Sequence, residues 1–174
     1  MQLKSLFLAA ALGAALTVSA QPRAVGLRLG VNSVEMSFQQ LMNSESNLFE
    51  LDFGTGWNFN SLQGAATYNW TSSTSSGEWT TYAGLGLGAG YTWGDNKWYS
   101  KDKTSYLSNY WTLGVAGLLG IEFKLPNLPI GISLDYRPLF GGDFGTHSGD
   151  GKFGVQFNTP GLYNFGISVR YLLM

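Results

Sequence analysis

Residues 110–140 read YWTLGVAGLLGIEFKLPNLPIGISLDYRPLF, two alternating runs joined by a short turn that contains two prolines. In the first run Trp111, Leu113, Val115, Leu119, Ile121, Phe123 and Leu125 share one parity, and Thr112, Gly114, Ala116, Gly120, Glu122 and Lys124 share the other. Leu118 is the only large apolar side chain on the second face. Successive side chains of a strand point to opposite faces, so the pattern predicts one oily face and one small or charged face. Pro126-Asn127-Leu128-Pro129 then removes two backbone donors and forces a turn. After it Ile130, Ile132, Leu134, Tyr136, Pro138 and Phe140 resume the oily face, with Gly131, Ser133, Asp135 and Arg137 opposite. If Leu125 pairs with Ile130 across the turn, the two oily faces merge into one surface.

Alternation also suits a soluble antiparallel sheet, so strand length and charge placement have to decide the solvent. Each run is longer than the ~5 to 6 residues typical of a globular strand and reaches the ~9 to 11 that cross a bilayer at a tilt. Glu122, Asp135 and Arg137 all fall on the small-residue face. The large residues therefore face lipid and the charges face a lumen, the reverse of a soluble barrel.

The rest of the chain bounds this reading. At 174 residues it is one domain long, and without cysteine it has no disulfide framework, thiolate chemistry or lipid-anchored cysteine. A mean hydropathy near zero is too polar for a helical membrane protein but suits a barrel, half of whose strand residues face away from lipid. Aromatic residues reach 15% while charged residues fall to 12%, about half of ordinary usage, which favours an interface with lipid. A formal net charge of −1 gives no footing for nucleic acid. Residues 1–20 carry Lys4, an apolar run from Leu6 to Leu16 and the small-residue site Val18-Ser19-Ala20. They read as a cleaved signal peptide, leaving residues 21–174 as the mature domain. No later stretch is apolar for long enough to span as a helix, so an exported membrane protein of this sequence is a barrel.

Taken in order, the same alternation recurs. Ala24 to Val31 and Val34 to Met42 exchange parity around a predicted two-residue turn at Asn32-Ser33, with Val31 opposite Val34. Phe49 to Trp57 and Leu62 to Trp70 follow, separated by Asn58-Phe59-Asn60. Trp79 to Trp93 sets Ala83, Leu85, Leu87, Ala89 and Tyr91 against Gly84, Gly86, Gly88 and Gly90, a spacing that excludes a nucleotide loop. With the two strands of residues 110–140 and a last one in residues 160–174, eight antiparallel strands are predicted. Their connections differ in length, the first and third being short as well. Those after the second, fourth and sixth strands are short, while loops 94–109 and 141–159 are long and polar, matching short periplasmic turns and long outer loops.

At this point the chain resembles the small outer-membrane β-barrel family typified by OmpX and the OmpA transmembrane domain. The resemblance rests on the leader, the eight strands, the run Gly131-Ile132-Ser133-Leu134-Asp135-Tyr136-Arg137-Pro138 and the closing strand Phe165-Gly166-Ile167-Ser168-Val169-Arg170-Tyr171. It implies an all-β, eight-stranded antiparallel up-and-down transmembrane barrel in the cell outer membrane of a Gram-negative bacterium. Outer-membrane lipid and lipopolysaccharide would be its surroundings, and periplasmic chaperones and the barrel-assembly machinery its partners in biogenesis. The resemblance makes Tyr163, Phe165, Ile167, Val169 and Tyr171 the outward residues of the strand that this machinery reads. The family usually ends on an aromatic residue, whereas this chain ends Leu172-Leu173-Met174.

The candidate functional residues lie on the inner face. Arg28, Glu35, Glu50, Asp52, Glu122, Lys124, Asp135, Arg137 and Arg170 mix both signs in near balance, which points to a paired polar plug, with a narrow pore as the alternative. Arg28 is expected to look across the lumen at the glycines of the fifth strand and to find a carboxylate among Glu50, Asp52, Glu122 and Asp135. His147 is the only histidine and stands beside Ser148. Some small barrels of this kind are lipid-modifying enzymes that use a histidine and a serine, but neighbours in a glycine-rich loop lack a rigid element to hold them in place. The expectation is therefore a non-enzymatic barrel with no cofactor and no metal, acting as a membrane-structural or surface-interaction protein through its two long loops. A soluble lipocalin-like carrier is a further alternative. Most tryptophans and tyrosines near strand ends read as interface belts. Trp98 and Tyr99 lie in the loop beyond the strand and are candidate recognition residues.

Overall fold

The computed structural model describes residues 22–42, 46–95, 107–147, 152–158 and 163–173. The predicted leader, residues 1–20, lies outside them. The described residues contain no helix. Ten strand segments, β1 (Pro22–Gly30), β2 (Ser33–Leu41), β3 (Asn47–Gly56), β4 (Ser61–Ser73), β5 (Trp79–Asp95), β6 (Leu107–Lys124), β7 (Ile130–Tyr136), β8 (Leu139–His147), β9 (Phe153–Asn158) and β10 (Phe165–Leu172), form a closed eight-stranded antiparallel barrel.

Ten segments make eight staves because two staves are interrupted. Leu119 pairs with Tyr136 and Ala116 with Leu139, so β7 and β8 continue each other along β6 in one register. Between them sits Pro138, which has no N–H to give, although its carbonyl accepts from Gly117 N at 2.9 Å. In the last stave β9 pairs with β8, while β10 pairs with β7 and β1. The proline-bearing turn after β6 closes as expected: Leu125 N donates to Ile130 O at 2.9 Å, and Asn127 takes the left-handed φ of 64°.

The stagger can be read from the pairing. From Val25, partners lead in one direction through Phe38, Leu51, Ala66, Leu87 and Val115 to Phe140. In the other direction they lead through Tyr171 to Ile130 on the same stave, ten residues from Phe140. With strands ~4.8 Å apart and a rise of ~3.3 Å per residue, that offset tilts the strands by about 40° from the barrel axis.

Three expectations are corrected. The first hairpin turns at Val31-Asn32 and pairs Leu29 with Val34, which keeps the same faces together but moves the turn by one residue. The segment 141–159, expected as a loop, is mostly strand: β8 runs to His147 and β9 begins at Phe153. Its glycines concealed the alternation by leaving three of the nine β8 positions, Gly141, Gly142 and Gly145, without a side chain to read. The loop expected at 94–109 is likewise shortened at both ends, since β5 runs to Asp95 and β6 begins at Leu107. One side of the barrel is consequently tall. β5 has 17 residues and β6 has 18, against nine each in β1 and β2.

Burial is inverted relative to a soluble protein. Leu87 is 69% exposed and Met36 70%, whereas Arg28 and Glu122 are 0% exposed. Apolar side chains of every stave form the outer surface, and Arg28, Glu35, Glu50, Asp52, Glu122, Asp135 and Arg170 of the strands lie inside.

Candidate functional site

The strand alternation places Arg28, Glu35, Glu50, Asp52, Glu122, Asp135, Arg137 and Arg170 on the inner face, all of them buried. Arg28 on β1 donates from Nε and Nη2 to Asp135 Oδ1 on β7, at 2.8 and 2.5 Å, and its Nη1 lies 3.6 Å from Glu35 Oε2. Arg137, in the break before β8, donates from Nη1 to Asp52 Oδ2 at 2.5 Å and from Nη2 to Glu35 Oε2 at 2.6 Å. Glu35 Oε1 also accepts from Ser33 Oγ at 2.7 Å and Gln63 Nε2 at 2.6 Å.

Nearer the end where β1 begins and β10 finishes, Arg170 forms a second centre. Its Nη2 donates to Glu50 Oε1 at 2.7 Å, Nη1 to Ser133 Oγ at 2.7 Å and Nε to Ser37 Oγ at 3.0 Å. Glu50 Oε2 accepts from Gln39 Nε2 at 2.8 Å. Charge-assisted bonds of this length hold buried ions that would otherwise bear an uncompensated desolvation cost. Leu48, Tyr82 and Leu118 fill remaining interior space, with the Tyr82 ring lying where a side chain at Gly120 would go. The result is a packed, paired plug.

One member was not legible from parity. Arg23 shares the parity of the outward Val25 and Leu27, yet its Nη2 donates to Glu122 Oε1 at 2.6 Å and its Nη1 to Gln39 Oε1 at 2.8 Å. A register shift between Pro22 and Ala24 turns it inward. Asp143 on β8 is also buried and accepts from Thr112 Oγ1 at 2.6 Å, although its segment was read as loop. Lys124 is half-buried at the end of β6.

Arg28 does find a carboxylate, but it does not face the fifth-strand glycines. It passes over Gly166 of β10, where an added Cβ would lie 2.6 Å from the guanidinium carbon. Gly84 and Gly86 instead sit against Asn69 and the Ala66 carbonyl of β4. Gly88 and Gly90 line a cavity of about 770 Å³ at the far end of the barrel, opposite the end where β1 begins. The β1–β2 and β3–β4 turns supply part of its wall through Asn32, Trp57, Asn58 and Asn60, and Arg137 belongs to its lining where it meets the plug. The interior is thus a plug beneath an open vestibule.

The other expected site residues are more scattered. His147 ends β8, and Ser148 lies outside the described residues, as do Trp98 and Tyr99. No group of three or more His, Asp or Glu among the described residues is arranged to hold a metal ion. Phe165, Ile167, Val169 and Tyr171 are exposed on the outer surface, with Phe165 packed 4.7 Å, ring to ring, from Tyr136, while Tyr163, also exposed, borders the cavity. Aromatic pairs occur towards both ends of the wall, Trp79 with Phe123 at 4.6 Å and Tyr91 with Trp111 at 4.8 Å. No protein-family model matches the chain, and no curated protein matches it.

Proposed function

We propose that the protein is an integral outer-membrane β-barrel of a Gram-negative envelope, non-enzymatic, with a membrane-structural or surface-interaction role exercised at its far end. The observation that carries this reading is the inverted burial: a closed barrel that exposes leucine, isoleucine, valine and aromatic side chains on every stave and pairs its arginines and carboxylates inside. In water such a surface would be a large aggregation-prone patch, whereas in lipid it is the solvated face. Closure also satisfies the backbone groups that lipid cannot hydrogen-bond. A paired plug favours a barrel that does not conduct over a narrow pore.

On this reading residues 1–20 direct export, and the closing strand is read by the barrel-assembly machinery after periplasmic chaperones deliver the chain. Outer-membrane lipid and lipopolysaccharide then surround the wall. Membrane fractionation combined with heat-modifiable gel migration tests the proposal. The protein is expected in the outer-membrane fraction, released only by detergent, with a fast-migrating folded band that disappears on boiling. Extraction of folded protein without detergent would end it.

A further inference from the structure

The vestibule has a chemistry of its own. Its volume of about 770 Å³ falls in the range of small-molecule sites, about 300 to 1,000 Å³. Among the described residues, Arg137 is the only charged one in its lining, and both of its terminal nitrogens are already engaged by Asp52 and Glu35. Among the described residues, an anion therefore finds no free cation there, and a cation finds no carboxylate in the wall.

What the wall offers is neutral hydrogen-bonding capacity. Asn32, Asn58, Asn60 and Asn164 contribute amides, each with donor and acceptor atoms, and Ser61 and Thr92 contribute hydroxyls. An apolar guest would strip water from these groups without replacing its bonds. A guest bearing many hydroxyls, each both donor and acceptor, replaces them in kind. Aromatic surface stands at the same mouth. Trp57 is pinned by its indole N–H to the carbonyls of Gly30 and Val31, at 3.1 and 3.2 Å, and Tyr163 is 73% exposed. Such rings cover the apolar face of a sugar while amides bind its edge. Gly90 adds no side chain to the facing wall, while the Leu139 side chain packs where one at Gly88 would lie.

We infer that the far-end vestibule is a binding site for a neutral saccharide, entered from the end opposite the one where β1 begins and β10 finishes. The inference rests on the proposed outer-membrane reading for which side the ligand comes from, while the cavity itself belongs to the barrel.

Calorimetric titration of the folded mature chain tests it, in a zwitterionic detergent without a sugar headgroup, using maltotriose, triacetylchitotriose and anionic trigalacturonate. At least one neutral trisaccharide is expected to bind, and trigalacturonate at least tenfold more weakly. Thr92→Phe, which fills the vestibule away from the ion pairs, is expected to weaken binding at least tenfold while keeping the heat-modifiable band. Failure of both neutral sugars to bind overturns the inference, as does stronger binding of trigalacturonate or a Thr92→Phe protein that binds like wild type. A wrong membrane assignment would appear in the fractionation and leave the titration unchanged, so the two failures are distinguishable.

Discussion

Arg28 and Asp135 stand on staves that are not neighbours, and they meet because the stave between them carries Gly166 at the crossing point. Three staves are thereby tied by one buried ion pair. Removing one partner strands a buried charge, which typically costs ~3 to 5 kcal/mol, and less where lumen water reaches it. Arg28→Leu should therefore lower the temperature at which the folded band is lost in a gel-shift melt. Gly166→Val should do the same by displacing the guanidinium. Wild-type melting in both variants would remove Arg28 from the barrel's support.

Arg170 and Glu50 are joined by a 2.7 Å bond inside the second centre. Arg170→Met and Glu50→Gln should each destabilise, and the double variant should be less destabilised than the two losses added together, with a coupling of ~0.5 to 3 kcal/mol. Urea unfolding in detergent micelles measures this. Strict additivity would mean that the two side chains act independently.

Tyr82 covers Gly120 so closely that a methyl group there meets the ring. Gly120→Ala should cost ~1 to 3 kcal/mol through overpacking. Tyr82→Leu removes the obstructing ring atoms, so Gly120→Ala should be milder in that background. Equal damage in both backgrounds would locate the cost in the backbone instead.

Leu87, in the middle of β5, and Phe157, on β9, are both highly exposed, yet they should respond differently to charge. If the wall is embedded in lipid, Leu87→Arg costs ~2 to 4 kcal/mol. β9 pairs only beyond the top of the short staves, so Phe157→Arg should change stability by no more than ~0.5 kcal/mol. Folding titrations in lipid vesicles compare the two. Equal, small effects would mean that no bilayer surrounds Leu87.

What the sequence by itself determined was the face of each residue within a regular strand. Side-chain direction has a period of two and is local, so Glu50, Asp52, Glu122 and Asp135 could be placed inside from their immediate neighbours. The turn at residues 126–129 was legible for a similar reason, since proline constrains the chain where it stands.

The tertiary structure alone decided which of those inward residues meet. Arg28 could have met any of four carboxylates, and the choice of Asp135 follows from the ten-residue stagger and from a glycine on an intervening stave. Arg23 lay beyond parity altogether, because a bulge is an irregularity in pairing with a second strand and leaves no mark on the alternation of its own. The strand nature of residues 141–147 was hidden likewise: Gly141, Gly142 and Gly145 carry no side chain, and their conformation is set by the ladder to β6. Period and turn chemistry act over a few residues, whereas register, bulges and partner choice are settled only when the sheet closes on itself.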